Sequence, residues 1–263
     1  MTAREPMSGD WRTNRPLCPI MPVRQHPLFP NEALLLIAHG STRYPDAGRT
    51  VLAHAAMLRA QGHFAEIAVG FLNGSPSAAE ALASLGTRTT HVVPFFMEDG
   101  YFTRVAVPKA VGEGTHLRFC PPVGTHPGLV DLIAVRIARV PTGLGPSDTV
   151  LVGHGSSKSP GRRTALHEHA ERLGARVAFL EESPLLADVL AETQGPLVVV
   201  GIFAGEGGHV RDDLPTLIAA ARERLGDRLI DLGSIGDEAG MATLILDQVV
   251  AGQRRGAPNT NGA

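Results

Sequence analysis

Short, unbroken apolar runs recur along the chain: Leu34-Leu35-Leu36-Ile37-Ala38, Val92-Val93, Val150-Leu151-Val152 and Val198-Val199-Val200. They are continuous rather than alternating, which predicts strands covered on both faces, as in a parallel sheet. Strands are expected near 33–38, 65–71, 90–96 and 115–119, and again near 149–153, 175–180, 196–203 and 228–231. Between them, apolar residues at helical spacing predict helices near 47–61, 76–85, 104–112 and 127–139, then 161–173, 184–193, 210–225 and 238–250. Such alternation implies right-handed βαβ units and parallel sheets. The expected strand order in each half is 2-1-3-4, with strand 1 about 4.8 Å from strands 2 and 3.

The two halves repeat each other. Ala38-His39-Gly40-Ser41 returns as Gly153-His154-Gly155-Ser156, 115 residues later. Phe71-Leu72-Asn73-Gly74-Ser75-Pro76 returns as Phe179-Leu180-Glu181-Glu182-Ser183-Pro184 at an offset of 108, and Val92-Val93 with Pro108 as Val199-Val200 with Pro215 at 107. Val123-Gly124-Thr125 is matched with Leu232-Gly233-Ser234 at 109. A period near 110 residues is too long for a solenoid and fits a duplicated domain. The expected fold class is α/β: two similar doubly wound parallel-sheet lobes of flavodoxin-like strand order, facing each other across a cleft. Residues 31–143 form the first lobe and 144–250 the second. Residues 1–30, rich in Pro, and 251–263, rich in Gly, Asn and Arg, are expected to be disordered tails.

Composition narrows the function. The 263 residues are 43% hydrophobic, enough for one large core or two modest ones. A net charge of −2 gives no footprint for nucleic acid. The two cysteines, Cys18 and Cys120, make no C-x-x-C pair, so neither a thiolate zinc site nor a disulfide framework is indicated. The longest apolar runs fall far short of the ~18 residues of a membrane span, and the first 30 residues lack a secretory apolar segment. A cytoplasmic protein is expected. There is no P-loop and no G-x-G-x-x-G after a strand, so no organic cofactor is expected.

The chemistry gathers at the predicted strand tips. In the second half His154 ends strand 1, Glu181 ends strand 2, and His209 follows strand 3 after Gly205-Glu206-Gly207-Gly208. These residues are far apart in sequence, but the strand order sets them side by side at the carboxyl edge, where open α/β sheets bind ligands. Two imidazoles and a carboxylate suit either a divalent transition metal or acid/base work. Asp213 is placed to orient the His209 ring or to serve the following helix. The first half keeps His39 but has Asn73, Phe102 and Ala106 where the second has Glu181, His209 and Asp213. It therefore reads as a structural and substrate-binding copy, with His39, Ser41 and Arg43 as binding candidates beside Ser156, Gly207 and Gly208. Arg104, Lys158, Arg162, Arg163 and Arg211 also follow strand tips, where they can meet anionic groups.

The His-Gly-Ser tips, the Phe-Leu-Glu tip and the segment Gly207-Gly208-His209-Val210-Arg211-Asp212-Asp213-Leu214-Pro215 resemble the sirohydrochlorin chelatases of the CbiX/SirB type in two-repeat form. The resemblance spans about residues 33–250. It implies insertion of Co²⁺ or Fe²⁺, as a substrate, into sirohydrochlorin or a close relative, for cobalamin or sirohaem synthesis. It also implies that His154 and His209 bind the ion, and that Glu181 assists metal binding or proton removal. The partners expected are a tetrapyrrole and a metal ion, with neither nucleic acid nor membrane, in a monomer because one chain holds both lobes. The other reading is a non-catalytic metal or tetrapyrrole carrier on the same scaffold.

Overall fold

The computed structural model describes residues 26–140, 148–155, 164–205 and 208–256. Ser156, Lys158, Arg162, Arg163, Gly207 and most of both predicted tails lie outside the described residues, as do the side chains of Pro45, His209, Val210, Arg254 and Arg255.

Two four-stranded parallel sheets are present. The first lobe runs β1 (Phe29–Ala38), α1 (Arg49–Gln61), β2 (Phe64–Phe71), α2 (Ala78–Ser84), β3 (Thr90–Pro94), α3 (Val107–Val111), β4 (Leu117–Phe119) and α4 (Leu129–Ala138). The second runs β5 (Thr149–Gly153), α5 (Ala165–Leu173), β6 (Arg176–Phe179), α6 (Leu186–Glu192), β7 (Leu197–Gly201), α7 (Gly208–Leu225), β8 (Leu229–Ser234) and α8 (Met241–Gly256). The strand orders are β2-β1-β3-β4 and β6-β5-β7-β8, the 2-1-3-4 order expected in each half.

The period-2 geometry of a strand sorts the apolar runs onto two faces. Leu35 and Ile37 pack outward with α2 and Val107, and Val150, Val152 and Val199 pack outward with α6 and α7. Leu34, Leu36, Leu151, Val198 and Val200 face inward and share one cluster with residues of α1, α4, α5 and α8. The lobes are thus fused through a common middle layer of helices. Each of these strand residues is essentially inaccessible to water, and burying one such side chain stabilises by about 1.5–3 kcal/mol. That is why the runs carry no polar residue.

The seam between lobes is built by reciprocal contacts. His54 Nε2 of α1 lies 2.7 Å from the carbonyl of Gly236, and His169 Nε2 of α5 lies 2.7 Å from that of Gly124. Arg136 of α4 donates to the carbonyls of Ser234, at 2.7 Å, and Leu232, while Gln248 of α8 donates to that of Pro122 at 3.1 Å. The swapped pairs are those of an approximate two-fold relation between the lobes. They also correct the repeat alignment. Gly124 corresponds to Gly236, not Gly233: Gly124 N–H bonds the Phe96 carbonyl at 2.9 Å, and Gly236 N–H bonds the Phe203 carbonyl at 3.1 Å. A Cβ on Gly124 would stand 2.1 Å from Met97 Cα, and one on Gly236 2.4 Å from the Phe203 oxygen, so backbone contact demands glycine at both.

The inner edges of both expected tails differ from expectation. β1 begins at Phe29, inside the segment expected to be a tail. Phe29 stacks on Phe64 at 4.9 Å and its N–H bonds the His63 carbonyl at 2.8 Å, so one buried aromatic ties down the Pro-rich approach. α8 runs to Gly256, past the expected end at 250.

Candidate metal and macrocycle site

Both sets of strand tips open onto one cavity of about 510 Å³. His39 from the β1 tip, Asn73 from the β2 tip and Phe95 and Phe96 after β3 line it from lobe 1; His154 and Phe203-Ala204-Gly205 line it from lobe 2. The tips turn sharply. Gly40 and Gly155 have φ of 70° and 83°, and a Cβ on Gly40 would sit 2.6 Å from the Asn73 oxygen, one on Gly155 2.9 Å from Glu182 Cγ. Glycine is required there twice over, and the turn leaves the preceding histidine projecting at the edge.

His154 and Glu181 are brought together as the strand order predicts. Glu181 N–H bonds the His154 carbonyl at 3.0 Å, which locks the two tips in register. Their side chains are partly exposed, with His154 Nδ1 3.6 Å from Glu181 Oε2 and 3.3 Å from the Gly155 carbonyl. A carboxylate and a carbonyl beside Nδ1 favour the tautomer with its proton on that nitrogen, which leaves the Nε2 lone pair available to a ligand. Gly208 and His209 open α7, and Asp213 is exposed one turn later on the same helix. Among the described residues no three His, Cys, Asp or Glu side chains form a complete metal cage.

The first-lobe copy differs as read. Asn73 Nδ2 lies 3.4 Å from His39 Nε2, and Phe102 meets the His39 ring edge-on at 4.7 Å. Burial, and then the nearby His154, lower the His39 pKa below the ordinary imidazole value. His39 is therefore neutral at pH 7 and shares its cavity with His154.

Other candidates also have partners within the protein. Ser41 Oγ accepts from the N–H groups of Arg43 (3.2 Å) and Tyr44 (3.0 Å), shaping the loop. The Arg43 guanidinium lies 5.1 Å from the Tyr44 ring centre at the cavity wall. Arg104 pairs with Asp99 at 2.7 Å and Arg211 approaches Asp46 at 3.7 Å. At the mouth of the cavity Tyr44 donates to Asp212 Oδ2 at 2.7 Å, so Asp212 links the two lobes across the cleft. That bond raises the Tyr44 pKa and keeps the hydroxyl protonated.

Glu98 was also missed. It reaches from lobe 1 to accept from the N–H groups of Ala165 (3.0 Å) and Leu166 (3.1 Å) at the start of α5. This is a helix N-terminus capped from the opposite lobe. Burial pushes the Glu98 carboxyl up. The seam partners are main-chain carbonyls and amides, which leave no signature in residue identity.

The model of the CbiX family matches residues 33–140 and, a second time, residues 148–251. The chain belongs to the CbiX family. It is 27% identical over 221 residues to the probable sirohydrochlorin cobaltochelatase of Halobacterium salinarum, covering 70% of this chain and 75% of that protein. A solved CbiX structure, described as the terminal enzyme for biosynthesis of siroheme in denitrifying bacteria, is 26% identical, with a TM-score of 0.64 over 84% of this chain and 99% of that one. DR2241 of Deinococcus radiodurans, described as a multi-domain protein with structural similarity to chelatases, is 25% identical, with a TM-score of 0.67 over 83% of this chain. The chain spans only about half, 54%, of that longer protein.

Proposed function

We propose that the chain inserts a divalent metal ion, Co²⁺ or Fe²⁺, into sirohydrochlorin or a closely related tetrapyrrole. The observation that carries the reading is the pairing of His154 with Glu181 on adjacent strand tips, facing the neutral His39 across one cavity. Relatives described as a sirohydrochlorin cobaltochelatase and as the terminal enzyme of siroheme synthesis support the reaction class.

In this reading His154 and His209 present imidazole lone pairs to the incoming ion. Such a site holds the ion while leaving positions open, so the ion can be passed on. Insertion expels two pyrrole protons, so bases must stand near the ring. Glu181 is one, and its carboxylate also steadies His154. Arg43 and Arg211, at the mouth, are suited to the macrocycle's carboxylates. No organic cofactor enters the reaction. One chain carries both lobes, so a monomer suffices, and no helix among the described residues is long and apolar enough to cross a membrane. A cytoplasmic site of action agrees with that.

The test is absorbance. Purified protein with metal-free sirohydrochlorin and excess Co²⁺ should convert many equivalents of the macrocycle to its metallated spectrum. A change that stops at one equivalent per chain identifies a carrier instead.

A further inference from the structure

Lobe 1 has an aromatic surface, not a second imidazole, where the sequence repeat matches Phe102 with His209. The Phe102 ring stands edge-on to His39, lies 6.0 Å from Phe96 with the planes only 16° apart, and is met by Tyr101 at 5.7 Å and 73°. His39 and Phe96 line the cavity, so Phe102 and Tyr101 continue that wall outward. Tyr101 is 68% exposed, Phe102 43% and Val105 48%. Large apolar side chains grouped in water on one turn, at the rim of a cavity, mark a binding surface.

The turn that carries them is held rigidly. Residues Phe102–Ala106 form a π turn ahead of α3, and Pro108 brings no N–H to the Arg104 carbonyl, which accounts for the irregular winding there. Thr103 Oγ1 accepts from Gly100 N–H at 2.9 Å and donates to Asp99 Oδ1 at 2.8 Å, and Asp99 also pairs with Arg104. The turn that carries the exposed rings is therefore held by a polar clamp, which lowers the backbone entropy lost on binding.

We propose that Phe102, Tyr101 and Phe96 form a stacking platform for one flat face of the conjugated macrocycle, while the ion reaches the ring from the lobe 2 side. This rests on the chelatase reading and adds the subsite that fixes the macrocycle. The near-parallel planes of Phe96 and Phe102 suit a flat π-system, which an aliphatic ligand does not need. The edge-on Tyr101 suits the border of such a system. In this division of labour, replacement of a histidine by Phe102 converts a metal-binding position into a ring-binding one. It also keeps a second ion away from the platform side.

The probe is metal-free sirohydrochlorin titrated into the protein without metal, followed by its fluorescence, with Co²⁺ binding followed separately by calorimetry. Loss of the stacked ring in Phe102→Ala should weaken macrocycle binding about 10-fold, and loss of the edge-on ring in Tyr101→Ala should weaken it in the same direction. Co²⁺ affinity should be unchanged in both, a split that general misfolding does not produce. Phe102→Trp should restore tight binding, whereas Phe102→Leu, apolar but without a π face, should not. Tyr101 is largely in water, so Tyr101→Ala keeps the test clear of folding defects. Equal macrocycle affinity in wild type, Phe102→Ala and Tyr101→Ala overturns the platform and leaves the chelatase reading standing. A wild-type chain that binds Co²⁺ but no tetrapyrrole overturns both.

Discussion

Replacing Gly236 by Ala should destabilise the whole molecule from a position outside the catalytic set. The added Cβ would lie 2.4 Å from the Phe203 carbonyl oxygen and 2.9 Å from the Ala204 carbonyl carbon. Both are backbone atoms, so the Ile235–Asp237 turn must move. Overpacking of this kind costs about 1–3 kcal/mol. Moving the turn also withdraws the Gly236 carbonyl from His54 Nε2, and His54 is 2% exposed with no partner for its Nδ1. Stranding that ring costs about another 1–3 kcal/mol. The sum, about 2–6 kcal/mol, corresponds to a fall in Tm on the order of 4–24 °C for a chain of this size. Because the lobes share one core, calorimetry should show a single transition displaced downward, with urea melts in agreement. Gly124→Ala, at the reciprocal contact with His169, should behave alike. A Gly236→Ala protein that melts within 1 °C of wild type would refute the claim that backbone approach at the seam joins the lobes.

Acid should loosen the fold through its histidines. Burial lowers the pKa of His39, His126 and His169, with His154 adding to the effect at His39. Between those lowered values and about 6.5 the unfolded chain binds more protons, so stability is full above about pH 6.5 and is lost as pH falls through the folded values. Thermal melts from pH 8 to 5 check this, and a His169→Gln variant should show a shallower decline. Glu181→Gln keeps the shape and removes the charge beside His154, so it should lower kcat more than it raises KM in steady-state chelation. Asp213→Ala should cost no more than about 10–100-fold in activity, the range for groups that act on a metal ligand rather than on the metal.

The parallel sheets were legible because Val198-Val199-Val200 and Leu34–Ala38 are covered on both faces, and only a buried parallel strand tolerates such runs. The meeting of His154 and Glu181 was legible for a related reason: the 2-1-3-4 order makes strands 1 and 2 neighbours, whatever separates them in sequence. Less visible was the relation between the lobes. His54 and His169 find main-chain carbonyls, and Glu98 finds main-chain amides, so no residue type announces the partner. Gly233 was mistaken for the counterpart of Gly124 because both follow an aliphatic residue and precede a hydroxyl, whereas the position is defined by backbone proximity to Phe203. His39 was set apart from His154 because Asn73 and Phe102 leave it without ligating neighbours in its own lobe, yet the two histidines line one cavity. Phe29 shows the limit of composition: one ring stacked on Phe64 outweighs the Pro-rich approach.

The central claim is that the ion is handled by the second lobe and the macrocycle is steadied by the first. The most direct measurement is steady-state Co²⁺ chelation of sirohydrochlorin by His154→Ala, His209→Ala and His39→Ala, each shown to be folded by thermal melting. Loss of a direct ligand should cost more than the roughly 10–100-fold expected of supporting groups. His154→Ala and His209→Ala should therefore be nearly inactive, while His39→Ala keeps turnover and binds the macrocycle more weakly. A folded His39→Ala without turnover, beside a His209→Ala that retains most of it, would place the working site in lobe 1 and contradict the account.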